Sequence, residues 1–503
     1  MNPAIVFVGV AIYTFLCFAI GMWGFKKSRP TMEDFFLGGR TLGLFFVLCA
    51  TWSTLFSAFS YIGLPGAYYR NGISFFGIAG NIVLNALCMY VIGCRMWAVG
   101  KKFGFINATD LFASRYQSNA VCFIAILISV ASLLPYLGLQ IRGAGLTMQG
   151  VTKNVINFET GLVYITLVVL VYVVLGGFRS VIYNDVVQSI IMLVGMVGAT
   201  YVITEKVAGG LGGVIIKAAE INPALTQFPG PAGIWSPLMV LTTCMVIGMG
   251  GFSWPQISQR MYATRSMKTI KALAVIFPIS ALFVNVPPVF LGLAGTIQYP
   301  ELKNADLVFP MMMNDLLSPA MAVIMLLAIL AAIMSTVSGM ILSISSIIVR
   351  DLWIRFFRPE GIDEKRVTLV SRIVTILVVA GALAFVFWGP KTLVGLLIEA
   401  SGPIMLQVLV VLAGGLFWKR ATAAGAITSM IASEAFLILL WTKAVQMPLK
   451  GIHNGVWAMA LGVVLFVVIS IMTRPAPKEV IEKFFDLYDK KPDEERNAQV
   501  GAF

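Results

Sequence analysis

The sequence predicts an all-α polytopic membrane protein of about thirteen membrane-spanning helices. Three observations carry this. Of the 503 residues, 59% are apolar and 12% charged, where a soluble domain carries about 25% charged residues. The apolar residues gather in runs long enough to cross a hydrocarbon layer of about 30 Å. The basic residues lie mostly between alternate runs.

The first run, 3–25, has no basic residue before it and Lys26-Lys27 after it, the wrong flanks for a cleaved signal peptide. The second, 41–64, is interrupted by Ser53-Thr54-Leu55-Phe56-Ser57-Ala58-Phe59-Ser60, which leads to Gly63-Leu64-Pro65-Gly66. Runs at 73–98, 119–150, 157–175 and 186–206 follow. The seventh, 237–258, is interrupted by Gly248-Met249-Gly250-Gly251-Phe252-Ser253-Trp254-Pro255-Gln256. The last six are 271–296, 318–348, 367–388, 393–416, 422–443 and 454–473. A helix broken inside lipid frees carbonyls and amides, which is tolerable only where the backbone lines a polar cavity or holds an ion. Two such helices in two halves of a chain point to a transport site.

The net charge is +13. With the N-terminus outside, 27 of the 36 basic residues fall in cytoplasmic segments and eight outside, with Arg142 inside a helix. The excess of positive charge on one side therefore sets an N-out, C-in orientation in a cell membrane. The basic balance reads as orientation and anionic-lipid contact, not nucleic-acid binding. The six cysteines lie in or beside apolar runs, without metal-ligand spacing. His453, the one histidine, falls in an outside turn. No phosphate loop or nucleophile elbow is present, so no enzyme activity and no cofactor are expected. Energy from bound ATP is not expected to be available to this chain on its own.

An ordered set of motifs now stands out: Phe36-Leu37-Gly38-Gly39-Arg40, Gly63-Leu64-Pro65-Gly66-Ala67-Tyr68-Tyr69, Gly176-Gly177-Phe178-Arg179-Ser180 leading to Asp185, and Gln259-Arg260. Ala332-Ile333-Met334-Ser335-Thr336-Val337-Ser338, Asp351-Leu352 and Gly415-Leu416-Phe417-Trp418-Lys419 complete it. In this set the chain resembles the sodium/solute symporter family, which includes symporters for proline, pantothenate, sugars, sialic acid and monocarboxylates. The resemblance implies a leucine-transporter-like fold with an inverted five-helix repeat. Residues 1–40 would hold the first helix and a cytoplasmic loop, 41–206 the first repeat, and 207–420 the second. Two peripheral helices, 421–473, and a cytoplasmic tail, 474–503, would follow.

Sodium wants oxygen ligands, which a broken helix and hydroxyl side chains supply. Ala332, Ser335 and Thr336 share one helix face by their spacing. Such hydroxyls also commonly bond back to a carbonyl one turn earlier. The resemblance makes them sodium ligands, through the Ala332 carbonyl and the two hydroxyls, joined by the carbonyls of Ser53 and Phe56. It places Asp185 near the ion route, with Ser338 as a partner in a second site. Gly339, where some relatives carry a further serine, and Leu55, where proline symporters carry an aspartate, depart from the pattern. By its residues alone, Asp185 is equally an interfacial carboxylate at a helix start.

The solute is expected between the second, third, fourth, seventh and eleventh helices. The candidates are Ser57, Tyr61, Gln140, Arg142, Phe252, Ser253, Trp254 and Gln256. An arginine at mid-helix costs about 2.5–3.5 kcal/mol on the insertion scale. Arg142 therefore clamps a carboxylate, snorkels outward, or pairs with Glu399. Trp254 is either an aromatic wall of the cavity or packing beside a kink. Glu434 reads as a structural carboxylate outside the repeats, neutral if buried. The likeness leans, loosely, to the monocarboxylate and pantothenate branches. The expected function is sodium-coupled uptake of a small polar organic solute, a carboxylate such as a monocarboxylate or amino acid. Proton coupling and solute sensing without net transport are the rivals. None of the five proposed ligands titrates, which disfavours the first.

Overall fold

Backbone polar groups in lipid must be paired within the chain, which leaves the helix as the way to cross. The computed structural model describes residues 3–29, 31–152, 154–357, 364–388 and 396–489. Residues 490–503 of the expected tail and the Glu399 side chain lie outside the described residues. The helices run α1 Pro3–Lys27, α2 Met32–Leu37, α3 Leu44–Leu55, α4 Leu64–Asn71, α5 Asn81–Cys88, α6 Cys94–Phe103, α7 Ala108–Tyr116, α8 Asn119–Val151 and α9 Phe158–Ala208. Next come α10 Leu211–Ile221, α11 Pro237–Phe252, α12 Pro255–Ala263, α13 Met267–Asn285, α14 Pro287–Gln298, α15 Val308–Leu316 and α16 Pro319–Ser346. The chain ends with α17 Arg355–Phe357, α18 Glu364–Trp388, α19 Gly402–Phe417, α20 Ala423–Trp441, α21 Asn454–Met472 and α22 Lys478–Asp489.

Among the described residues, nine helical stretches are long and apolar enough to span, or ten if α11 and α12, bent by 55° at their break, are one span. Two physical features separate this count from the thirteen expected. The 51-residue α9 is about 77 Å long at helical rise, more than twice the hydrocarbon thickness. Gly177 breaks it with φ 55°, ψ −146°, so one continuous stretch carries two apolar runs. α3 and α19, at 12 and 16 residues, are short because the chain leaves helical geometry beside them.

α16 is the centre of the molecule. Every residue from Ala328 to Ser346 is buried, as expected for a helix walled in on all sides. It packs on α9 and α8, and α1 lies against α9. The motif 36–40 becomes a lock at one end of this core. Thr31 caps α2. Asp34 accepts the Arg179 guanidinium through both carboxylate oxygens at 2.6–2.9 Å, a forked geometry that lysine does not reproduce. Gly38 and Gly39, with φ of 61° and 72°, turn the chain into α3. There Leu42 donates to the Ala263 carbonyl at 3.1 Å and accepts from the Arg265 amide at 3.0 Å. These two bonds strap the start of α3 to the end of α12. The six cysteines are buried and unpaired. Glu434 is half-buried, and its Oε1 has no hydrogen-bond partner.

His453 precedes α21 and caps it, Nδ1 accepting from the Gly455 amide at 3.0 Å. Burial pushes this imidazole down to about 4. The unfolded chain therefore binds more protons between about 6.5 and 4. Stability from this group is whole above 6.5 and is lost as the pH falls towards 4, at most about 3 kcal/mol. The thermal midpoint of the wild type is expected to fall across that window more steeply than that of His453→Asn, and parallel curves would remove the histidine as the cause. At Gly177 an added Cβ lies 2.7 Å from the Phe35 carbonyl at a φ other residues avoid. Gly177→Ala is expected to cost at least about 1–3 kcal/mol, read as a lower unfolding midpoint in detergent; an unchanged midpoint would show the break to be unstrained.

Candidate ion and solute site

A helix end leaves its last carbonyls without intrahelical donors. At the end of α3, Phe56 takes φ −97°, ψ 113° and donates to the Trp52 carbonyl at 3.0 Å. The carbonyls of Ser53, Thr54 and Leu55 are thereby left outside the α-helical ladder. α16 meets this end with its hydroxyls. Ser335 Oγ lies 2.8 Å from the Ser53 carbonyl and 3.1 Å from that of Ala332. Thr336 Oγ1 lies 3.4 Å from the Ser53 and Thr54 carbonyls and 2.9 Å from the Ala332 carbonyl. Ser53, Ala332, Ser335 and Thr336 are all fully buried. Five oxygens from two helices thus face one another, two of them hydroxyls that can rotate to offer lone pairs. Thr54 joins the set although its position in the sequence gave no sign of it. Phe56 sits at the break itself, its ring 5.1 Å from Trp52 and 6.3 Å from Phe277.

Asp185 is fully buried, against the reading of an interfacial carboxylate at a helix start. It lies inside α9, and Arg260 of α12 pairs with its Oδ2 at 3.3 Å. The guanidinium also donates to the Ala50 carbonyl of α3 and the Gln256 carbonyl of α12, both at 2.9 Å. Gly339 makes room for it, since a Cβ there would stand 3.2 Å from Arg260 Nη2. The position without a serine is thus where a cationic side chain passes. Ser338 donates to the Ser335 carbonyl on its own helix at 2.9 Å.

A cavity of about 60 Å³ opens beside the break, room for a few water molecules. Its polar lining is Ser60, Tyr68, Asn81, Asn85, Tyr136, Trp254 and Asn285, and no charged side chain lines it among the described residues. The Trp254 and Tyr136 rings lie 5.4 Å apart, and the Trp254 indole donates to Ser401 Oγ at 3.1 Å. Of the residues expected around the solute, Trp254 lines this cavity. Ser57 and Gln140 stand behind it. Ser57 Oγ is 3.3 Å from both the Tyr136 hydroxyl and Gln140 Nε2, and Gln140 Oε1 accepts from the Ala58 amide at 3.1 Å. Both polar atoms of Gln256, and the Ser253 hydroxyl, are buried without a partner. Phe252 is fully buried.

Two expected residues point elsewhere. Tyr61 donates to the Met192 carbonyl of α9 at 3.0 Å. Arg142 is half-buried with its guanidinium 5.8 Å from the Phe158 ring centre, outside the cavity lining. Its Nε is buried without a hydrogen-bond partner. Sequence reasoning passed over the asparagines. Asn81 and Asn85, four residues apart in an apolar run, share a helix face, and that pattern was the available signal.

The chain is 28% identical over 467 residues to a sodium/pantothenate symporter of Escherichia coli, covering 92% of this chain and 95% of that protein. It is 28% identical over 491 residues to a high-affinity proline transporter of Bacillus subtilis, covering 93% and 98%. A solved Na+-coupled sialic acid symporter in a substrate-bound outward-open state matches with a TM-score of 0.80 at 20% identity, over 94% of this chain and 99% of that one. At that identity the match speaks for the fold. The sodium:solute symporter family matches residues 35–433, and the chain belongs to it.

Proposed function

We propose that this protein carries a small polar organic solute, of the carboxylate class, inward with sodium by alternating access. Residues 41–206 and 207–420 act as the two inverted repeats around the site. The observation that carries the reading is the meeting of α16 with the broken end of α3, where Ser335 Oγ lies 2.8 Å from the Ser53 carbonyl. Sodium enters as co-substrate. Ser53, Phe56, Ala332, Ser335 and Thr336 hold it, with the Thr54 carbonyl beside them. All are neutral oxygen donors, suited to a hard monovalent cation. None gives up a proton at neutral pH, which favours sodium over proton coupling.

The site is built from two helices, so its affinity depends on how close they stand. Sodium favours the state in which α3 and α16 are together, and release follows when they part. Asp185, tied to Arg260, lies on the inward side of that route. The carboxylate class of the solute rests on what the named relatives carry, since no described basic side chain lines the cavity. The positive charge nearest the cavity on this reading is the sodium ion, held behind Phe56.

Thr336→Ala removes one oxygen and is expected to raise the sodium concentration for half-maximal uptake at least about tenfold, the equivalent of about 1.4 kcal/mol. Sodium titration of uptake in proteoliposomes, with choline as replacement at fixed pH, measures this; an unchanged half-saturation would place the ion elsewhere. The N-out, C-in orientation is checked with single cysteines. At Lys450 a cysteine is expected to react with an impermeant maleimide on intact cells, and at Lys268 only after permeabilisation. Both positions are exposed and the six native cysteines are buried, so the background is low, and the reverse pattern would invert the topology.

A further inference from the structure

No charged side chain lines the cavity beside the break among the described residues, and one of its lining acceptors has no donor. Three carboxamides line it, from α5 and α13. Each turns its amino group onto a main-chain carbonyl. Asn81 Nδ2 donates to Ile78 at 2.6 Å, Asn85 Nδ2 to Gly248 at 3.0 Å, and Asn285 Nδ2 to Ala281 at 2.9 Å. A carbonyl can only face the N–H end of an amide, so these bonds fix the oxygen on the other side of each group. Two other lining groups are engaged, and the Ser60 and Tyr68 hydroxyls complete the polar lining. The Trp254 indole donates to Ser401 Oγ, and the Tyr136 hydroxyl pairs with Ser57.

The unmatched acceptor belongs to Asn85. The residue is 3% exposed and its Oδ1 has no hydrogen-bond partner. An acceptor left bare in an apolar interior is costly unless something fills it. A site whose buried polar groups await a specific donor rejects the analogue lacking it far more strongly than a greasy pocket rejects a change of size. We propose that Asn81, Asn85 and Asn285 read a hydrogen-bond-donating group of the solute, a hydroxyl, amide N–H or ammonium, and so select hydroxy acids, amido acids and amino acids over keto, ether and O-alkyl acids of the same shape. This rests on the reading of the cavity as the solute site and narrows its substrate class. The donor end meets α5 and α13.

The test uses the full-length protein in detergent and in proteoliposomes. The probes are matched acids differing only in the donor: L-lactate against pyruvate, L-proline against tetrahydro-2-furoate, and glycolate against methoxyacetate. Each is scored by thermal shift with sodium or choline present, and by competition of sodium-driven uptake. Within at least one pair, the donor-bearing member is expected to bind tenfold or more tightly. In Asn85→Leu that preference is expected to collapse to within threefold, with the sodium half-saturation unchanged. Equal binding within every responding pair overturns the proposal. So does a uniform loss for both members in Asn85→Leu with wild-type stability, which would mark the asparagine as structural. Stabilisation by sodium with no response to any probe rejects the donor preference and leaves the ion reading standing. No response to sodium itself counts against that reading instead. Should Asn85→Leu fail to fold, the wild-type pairs still decide, and Asn285→Leu repeats the comparison from the other helix.

Discussion

The end of α3 at Phe56 is the constraint on which the rest depends. One residue in extended geometry, in the middle of an apolar run, exposes main-chain carbonyls that lipid cannot satisfy. The fold answers by bringing a second helix to them. α16 is buried over its inner nineteen residues, Ala328 to Ser346, and its hydroxyls fall where the carbonyls open. Its serines and threonines would serve only their own helix were α3 continuous. With α3 broken, Ser335 and Thr336 reach across to Ser53 and Thr54 while still touching Ala332. The oxygen cluster follows from a helix that stops and a neighbour that is polar at the right height.

The second broken helix is held to the first by charge. Arg260 touches α3 through Ala50, α12 through Gln256 and α9 through Asp185, and passes over Gly339 of α16. Removing either partner of a pair so deeply buried leaves a bare charge, a loss of about 3–5 kcal/mol. The pair is therefore a poor candidate for simple stability and a good one for specificity of arrangement. It fixes how four helices sit around the oxygen cluster. The Leu42 strap, two main-chain bonds between the start of α3 and the end of α12, works at the same joint.

Much of this was legible in the chain. The two breaks, the spans around them and the face shared by Ala332, Ser335 and Thr336 are local patterns, and local patterns are readable from spacing. Pairings between distant segments are not. Arg260 and Asp185 meet across 75 residues and Asn85 and Gly248 across 163, with no periodicity to announce either contact. Arg142 shows the opposite failure. An arginine in an apolar run signals an expensive group that needs a partner, but not which partner. The fold sets its guanidinium 5.8 Å from the Phe158 ring centre and leaves its Nε without a hydrogen-bond partner. The helix count also had a physical source of error, since α9 runs through two apolar runs in one stretch and is divided by a single glycine.

The cation site proposed above, made wholly of neutral oxygens, would have a consequence for coupling. An acidic ligand would bind sodium more tightly in every state, and equal tightening shifts nothing between states. Carbonyls and hydroxyls contributed by two separate helices behave differently. Their attraction for the ion is short-ranged, so it is nearly all present when α3 and α16 touch and nearly all absent when they part. On that proposal the free energy of binding would be almost entirely differential, which is the part able to drive a conformational change. The charge of Asp185, paired with Arg260 at 3.3 Å, stands beside Ser53 of the oxygen cluster. The space beside the two hydroxyls is taken by a guanidinium that passes over a glycine, Gly339.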